Sequence, residues 1–172
     1  MAWSAEAREG TQMRVAIAAD HNGTALKAHL AAWLAARGHD VDDLGTNGAE
    51  TVDYPYLCAE IGALVTDGHA ERGIVIGGTG SGEQIACNKI RGVRAGLCHD
   101  LLTAEISRAH NDTNILVIGA MIVAPRLAER ITQIWLETPF KGGRHQLRLD
   151  LIAALERGDQ IQADADRDLR MG

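Results

Sequence analysis

The segment Gly73-Ile74-Val75-Ile76, followed by GGTGSGEQ (Gly77–Gln84), decides the fold of this chain. An apolar run ends in a glycine-rich turn, and Glu83 falls in the first turn of the helix expected next. A turn of this kind leaves backbone N–H groups unpaired, so it can hold a phosphate or the oxyanion of an enediolate. A carboxylate beside it is well placed to move a proton at the neighbouring carbon. The segment therefore predicts a proton-transfer site, or a nucleotide site that lacks its usual fingerprint.

On both sides of this segment, short apolar runs alternate with longer amphipathic stretches, as is typical of an α/β protein with a parallel sheet. The predicted strands are Arg14–Ala19, His39–Leu44, Gly73–Gly77, Arg94–Cys98 and Ile115–Ile118. The predicted helices are Gly23–Arg37, Pro55–Asp67, Ser81–Lys89, Leu101–His110, Pro125–Glu137 and Arg144–Arg157. We therefore expect a Rossmann-like three-layer α/β/α sandwich around one five-stranded parallel sheet.

Composition and charge exclude several classes of protein. The 172 residues are enough for one domain with a full core. A net charge of -6 argues against a nucleic-acid partner, which would require a basic surface. The chain has neither an apolar run of about 18 residues nor a signal-peptide pattern, so we expect no membrane association. Cys58, Cys87 and Cys98 form no CxxC pair, so they indicate reduced, buried thiols in a cytoplasmic protein rather than disulfides or zinc ligands.

The pattern of elements predicts a single domain over residues 13–158. Residues 1–12 are expected to form a loose tail, and Met13 is a candidate for the natural start. Residues 159–172 are polar and acidic, which is typical of a frayed C-terminal tail.

Polar residues follow several of the predicted elements, and ligands bind at the carboxyl ends of the strands in an open parallel sheet. We expect four polar sets to collect at that edge. They are Asp20-His21-Asn22-Gly23, the glycine turn with Thr79, Ser81 and Glu83, His110-Asn111-Asp112-Thr113-Asn114, and Gly142-Gly143-Arg144-His145-Gln146 with Arg148.

Each set also has an ordinary structural interpretation. A dinucleotide fingerprint needs a third glycine where Glu83 stands, and a P-loop needs a Gly-Lys-Ser/Thr run that is absent. Asp20 and His21 are also common helix-capping residues, and His110–Asn114 is compatible with a plain helix end and turn. The two arginines of the last set are ordinary surface residues until an anion faces them. The histidines expected to be structural or exposed are His29, His39, His69 and His99.

Six segments in a fixed order are more specific than any one of them. They are AADHNG (Ala18–Gly23), DYP (Asp53–Pro55), GGTGSGEQIACNK (Gly77–Lys89), GVRAG (Gly92–Gly96), SRAHNDTN (Ser107–Asn114) and GGRHQLR (Gly142–Arg148). In this order the chain resembles the type B ribose-5-phosphate isomerases, a family that includes galactose-6-phosphate and allose-6-phosphate isomerases. The resemblance extends from about Met13 to Gly158.

The resemblance implies roles for individual residues. Many relatives have a cysteine base at the place of Gly77, whereas another branch has glycine there and uses a glutamate after the loop, which is Glu83 here. His110 matches the residue that helps to open the sugar ring, with Asn111 beside it, and Thr79 assists the amides that hold the enediolate. The matching loop positions are Gly78, Gly80, Ser81 and Gly82. The matching sugar and phosphate contacts are Asp20, His21, Arg144 and Arg148.

The resemblance also implies the partners and the chemistry. The substrate is a small sugar phosphate, and the reaction needs neither a cofactor nor a metal ion. In relatives the site is shared across a dimer interface, so we expect a homodimer or a dimer of dimers. Because Glu83 lies near a helix N-terminus, we expect its carboxyl group to ionise easily, which makes it a weak base until site closure excludes water.

One departure from the family pattern concerns phosphate binding. Relatives usually carry an arginine after the fifth strand, and this chain has Met121. Either Arg126, Arg94 or Lys89 supplies the charge, or the phosphate sits differently, or the sugar is another one, such as allose 6-phosphate, a tetrose phosphate or an unphosphorylated aldose. A non-catalytic sugar-phosphate-binding module is an alternative from another class, although it would need no base. A dehydrogenase is disfavoured by the broken glycine fingerprint.

Overall fold

The computed structural model describes residues 12–48 and 50–162. The strands are β1 (Arg14–Ala19), β2 (Asp40–Asp43), β3 (Arg72–Gly77), β4 (Ala95–Leu97) and β5 (Ile115–Gly119). The helices are α1 (Thr24–Ala35), α2 (Tyr54–Thr66), α3 (Ser81–Cys87), α4 (Leu101–Ala109), α5 (Pro125–Glu137) and α6 (Arg144–Glu156). The predicted α/β fold with one five-stranded parallel sheet is confirmed.

The sheet has the strand order β2-β1-β3-β5-β4, with every neighbouring pair parallel. The chain moves from β1 outward to β2 and then returns to place β3 on the other side of β1. Such a reversal opens a crevice between the carboxyl ends of the two strands, where ligands bind in open α/β sheets. The topology therefore places the residues after β1 beside the glycine turn after β3.

Successive side chains of each strand point to opposite sides of the sheet, so both faces carry apolar residues. Helices cover both faces. On one face, Val15 and Ile17 pack with apolar residues of α1, α4 and α5, among them the fully buried Trp135. On the other face, Ala16 and Ala18 pack with α2 and α3. This is the predicted three-layer arrangement, and each fully buried large aliphatic side chain stabilises it by about 1.5–3 kcal/mol.

All predicted element boundaries lie within two residues of the observed ones. Gly68 follows the C-cap of α2 with φ +75°, as expected for a helix-ending glycine. Helix α3 is shorter than predicted, because Asn88 ends it: the side-chain amide of Asn88 donates to the carbonyls of Gln84 and Ala95 at 3.0 Å, and its oxygen accepts from the Ala95 N–H at 2.9 Å. This side chain ties the end of α3 to the start of β4. The three cysteines are free and buried, as predicted.

The chain divides into two compact units, with the boundary between Phe140 and Lys141. The first unit contains the sheet and α1–α5, and the second contains α6. The prediction of one domain over residues 13–158 stays a prediction. The predicted tails, 1–12 and 159–172, lie mostly outside the described residues. Within residues 12–48 and 50–162, no helix has the length and apolar character needed to cross a membrane.

Candidate active site

The glycine turn runs from the end of β3 into α3 and presents backbone donors. Gly80 is the N-cap of α3 and has φ +79°, and a methyl group on it would lie 2.6 Å from Leu97 Cδ1. Only glycine meets both constraints without strain. Among the described residues, the N–H groups of Gly80 and Gly82 have no hydrogen-bond acceptor, whereas the Ser81 N–H reaches the Thr79 hydroxyl at 3.4 Å. The turn is therefore a cradle of backbone donors with free capacity for an anionic oxygen.

The Glu83 carboxyl group lies over Gly77, at the start of the glycine turn. The Glu83 side chain is only 4% exposed, and its carboxyl atoms occupy the space that a side chain at Gly77 would fill. Burial raises the pKa of Glu83, and the nearby charge of Asp20 raises it further, while a hydrogen bond from its own backbone N–H opposes them. The expectation that this carboxyl group ionises easily was therefore wrong, because loss of solvent outweighs the helix N-terminus. A raised pKa makes Glu83 a stronger base once it is ionised.

Asp20 approaches the cradle from the end of β1. It is 6% exposed and accepts hydrogen bonds from the N–H groups of Asn22 at 2.8 Å and Gly23 at 3.1 Å, and from the Asn22 side-chain amide at 2.9 Å. Asp20 therefore closes the turn before α1, and the same carboxylate lies close enough to Glu83 to affect its pKa. His21 contacts the Asn22 amide at 3.2 Å through Nε2. The structure thus brings the first two predicted polar sets together.

The turn after β5 lies on the opposite side of the cradle. The Met121 N–H donates to the Gly78 carbonyl at 3.0 Å. A methyl group added to Gly78 would lie 3.4 Å from the terminal methyl group of Met121. Met121 is 71% exposed, so an apolar side chain lines this side of the crevice. Within one chain Arg94 does not reach this crevice, because it lies before β4, at the amino end of the strands, and pairs with Asp112.

Two side chains near the cradle escaped the sequence analysis. His99, expected to be structural or exposed, follows β4, and its Nε2 would lie 2.9 Å from a methyl group on Gly119, beside the Thr79 carbonyl. The Tyr54 hydroxyl would lie 2.5 Å from a methyl group on Gly82, so its ring covers the first turn of α3. The rule that identified the ends of β1 and β3 would have identified His99 if it had been applied to β4.

His110 and Asn111 do not join this site within one chain. His110 is the C-cap of α4, and the segment that follows it leads into the amino end of β5. There the Asn114 carbonyl accepts a hydrogen bond from the N–H of Gly73, near the start of β3, at 3.0 Å. Gly77 lies four residues further along β3, about 13 Å away. The expectation that all four polar sets collect at one edge was therefore wrong, because this segment precedes its strand instead of following it.

The fourth set begins α6, in the second unit of the chain. Arg144 is the first residue of α6 and Arg148 follows one turn later, and both are exposed. Their assignment as phosphate contacts stays a prediction. Within residues 12–48 and 50–162, no group of three or more histidine, cysteine, aspartate or glutamate residues is placed to hold a metal ion.

Comparison with known proteins identifies the family. The family model described as Ribose/Galactose Isomerase matches residues 15–152. The chain belongs to the ribose/galactose isomerase family. It is 42% identical over 143 residues to ribose-5-phosphate isomerase B of Escherichia coli, covering 83% of this chain and 96% of the relative. It is 37% identical over 150 residues to ribose-5-phosphate isomerase B of Mycolicibacterium paratuberculosis, covering 86% of this chain and 94% of the relative.

Solved structures of the family share the fold. Ribose-5-phosphate isomerase B of Clostridium thermocellum matches with a TM-score of 0.84 and 44% identity, over 85% of this chain and 99% of that one. The enzyme of Mycoplasma genitalium with bound ribulose 5-phosphate matches with a TM-score of 0.80 and 34% identity, over 84% of this chain and 96% of that one. The family resemblance predicted from the six sequence segments is confirmed.

Proposed function

We propose that this protein is an aldose–ketose isomerase that interconverts ribose 5-phosphate and ribulose 5-phosphate through an enediolate. The observation that carries the proposal is the buried Glu83 carboxylate, which lies over Gly77 beside the unpaired donors of the glycine turn. A base next to an oxyanion cradle is what proton transfer between adjacent carbons requires. The names of the relatives, and the ribulose 5-phosphate bound by one of them, support the choice of sugar.

In the proposed reaction, Glu83 removes the proton from carbon 2 of the open-chain aldose and returns it to carbon 1, while the hydroxyl proton on oxygen 2 passes to oxygen 1 of the enediolate. The negative charge that develops on the carbonyl oxygen is stabilised by the N–H groups of the turn, including those of Gly80 and Gly82, at about 3 kcal/mol per donor. The Thr79 hydroxyl accepts from the Ser81 N–H at 3.4 Å, so its own proton is free to be donated to the same oxyanion. Asp20, by raising the pKa of Glu83, increases the basicity of the group that takes the proton.

We infer that two copies of the chain form each site. Glu83 and His110 lie at opposite edges of one sheet, so a single chain cannot apply both to one sugar. In a symmetric dimer, His110 and Asn111 of one copy face the glycine turn of the other, and His110 opens the sugar ring. The family resemblance supports Arg144 and Arg148 as phosphate contacts and, separately, His21 as a sugar or phosphate contact. Whether dimers pair further has no bearing on this arrangement.

The reaction as proposed needs no cofactor, since the sugar neither gains nor loses electrons overall and the protons move only within the sugar and by way of Glu83. The buried free thiols support a cytoplasmic location. The net charge of -6 leaves a small anionic sugar, bound through local arginines, as the expected partner rather than nucleic acid.

The first test replaces the base. Glu83→Gln keeps the shape of the side chain but cannot accept the proton, so conversion of ribose 5-phosphate should fall by about 10²–10⁴-fold. Incorporation of solvent deuterium into the sugar should fall in parallel. Glu60→Gln, at an exposed position on α2, is the matched control and should leave both rates unchanged. Near-normal turnover by Glu83→Gln would refute the assignment of the base.

The second test asks whether the site is shared. Glu83→Gln and His110→Ala chains should each convert ribose 5-phosphate slowly as homodimers, but a mixed dimer has one site with both groups intact. Unfolding and refolding an equal mixture should restore about one quarter of the original activity, because half of the dimers are mixed and half of their sites are complete. If both groups acted from the same chain, mixing would restore nothing.

A further inference from the structure

The turn after His110 is held by an ion cluster that the proposed reaction does not use directly. We call Arg94, Arg108 and Asp112 the Asp112 clamp. The Asp112 carboxylate accepts from Arg108 Nη1 at 2.7 Å through Oδ1 and from Arg94 Nη2 at 2.8 Å through Oδ2. Both of its oxygens are therefore engaged by charged donors, which make the strongest class of hydrogen bond.

The same two arginines also hold the backbone of the turn. Arg94 Nε donates to the carbonyls of Asn111 at 3.2 Å and Asp112 at 2.9 Å. Arg108 Nη1 donates to the Thr113 carbonyl at 2.6 Å. Asp112 has φ +43°, a left-handed conformation that residues other than glycine seldom adopt. The clamp thus stabilises a backbone shape that the chain would otherwise avoid.

The base of the clamp is anchored in the core. Arg108 is 4% exposed and lies 5.8 Å from the centre of the Trp135 ring. The Trp135 indole N–H donates to the Thr113 hydroxyl at 2.8 Å, so α5 and the turn are bonded at the same point. A buried guanidinium needs a paired anion, and within the described residues Asp112 is the carboxylate that forms an ion pair with it. Arg108 and Asp112 therefore hold each other in place.

In the sequence, His110 lies midway between Arg108 and Asp112. Arg108 is in the last turn of α4, His110 is its C-cap, and Asp112 is four residues after Arg108. The ion pair closes a ring of five residues around His110. We propose that the Asp112 clamp positions His110 for ring opening, with Asp112 as the positioning residue and no direct contact with the sugar. The inference rests on the proposed function, because it assigns Asp112 to one step of that reaction.

Two reactions of the same sugars separate ring opening from proton transfer. Ribose 5-phosphate is mainly a furanose and has to open before Glu83 can act. Ribulose 5-phosphate stays open-chain, because the hydroxyl that would close its five-membered ring carries the phosphate. Exchange of its carbon 1 hydrogen with deuterated water therefore needs Glu83 and the turn but not His110. Loss of the clamp should slow the first reaction and spare the second.

The central variant is Asp112→Ala. Conversion of ribose 5-phosphate should fall by about 100-fold, as expected when a catalytic group is misplaced by about 1 Å. Exchange in ribulose 5-phosphate should stay within about twofold of the original rate, since the glycine turn is intact. Asp112→Asn keeps one acceptor and tolerates φ above zero, so it should recover part of the activity. Asp159→Ala, which removes the carboxylate of an exposed arginine pair, is the matched control.

A double-mutant cycle tests whether Asp112 acts through His110. In a His110→Ala background, adding Asp112→Ala should cause no further loss, because nothing remains to position. Thermal unfolding of each variant identifies loss of folding. If Asp112→Ala does not fold, Arg94→Gln removes the more accessible half of the clamp, and we expect a loss of about 10-fold on ribose 5-phosphate alone.

The outcomes are distinct. Equal losses in conversion and in exchange, or additive losses in the cycle, would overturn the positioning role of the clamp. If the unaltered protein neither converts ribose 5-phosphate nor exchanges ribulose 5-phosphate, the proposed isomerase function fails, and the clamp's role in it fails as well. Selective loss of conversion, rescued in part by Asp112→Asn, supports the inference.

Discussion

Gly77→Ala is the sharpest test of the geometry of the base, since it leaves every proposed site residue chemically unchanged. The three heavy atoms nearest to a methyl group at this position all belong to the Glu83 carboxyl group, and they lie closer than non-bonded atoms can approach. The methyl group and the carboxylate cannot occupy the same space. Because Gly77 is the last residue of β3, its backbone is fixed by the sheet and the Glu83 side chain has to move.

The size of the effect follows from that movement. To restore an ordinary contact of about 3.5–4.0 Å, the carboxylate has to shift by more than about 1 Å. A displacement of this size costs about 100-fold in rate, or about 2.7 kcal/mol in the activation barrier. The free energy of unfolding should change by no more than about 1 kcal/mol. The rotamer change in Glu83 lowers it, whereas alanine restricts the unfolded chain and raises it by about the same amount.

The assay combines steady-state turnover of ribose 5-phosphate with thermal unfolding. Gly77→Ala should lose turnover and keep its melting temperature. Gly73→Ala is the control on the same strand: its methyl group would lie 3.0–3.3 Å from side-chain atoms of Ile115, Val65 and Ile61, so it affects core packing and leaves turnover unchanged. Full turnover by a folded Gly77→Ala protein would show that the carboxylate does not act from its place over the turn.

Three further predictions follow from the same contacts. Asp20→Asn removes a charge that raises the pKa of Glu83, so the acid limb of the kcat/KM profile should move to lower pH; an unmoved or higher limb would contradict the coupling. Gly80→Ala forces φ +79° on a residue with a side chain and places its methyl group 2.6 Å from Leu97 Cδ1, so urea unfolding should show a loss of about 2–4 kcal/mol. Trp135→Phe removes the indole N–H that donates a 2.8 Å bond inside the core. We expect it to cost about 2 kcal/mol by the same measurement, and no loss would mean that water or another donor replaces the bond.

Several features could be predicted because they depend on neighbours in sequence. The strand Arg14–Ala19 and the helix Pro125–Glu137 were predicted with the observed boundaries, since an apolar run and an amphipathic period with an N-terminal proline are local patterns. The strand–glycine turn–helix unit likewise placed Glu83 in the first turn of α3. These patterns were sufficient to predict the α/β fold and the cradle.

Other features depend on residues far apart in the chain. The raised pKa of Glu83 arises from burial and from Asp20, 63 positions earlier, so the local rule for a helix N-terminus predicted the wrong direction. Tertiary packing brings His99 and Tyr54 to the cradle, whereas His110 lies at the opposite edge of the sheet because its segment precedes β5. The burial of a side chain and its position across a sheet both depend on residues that are far apart in the sequence. The sequence by itself determined which groups are available for catalysis, and only the tertiary structure decided which of them one chain can bring together.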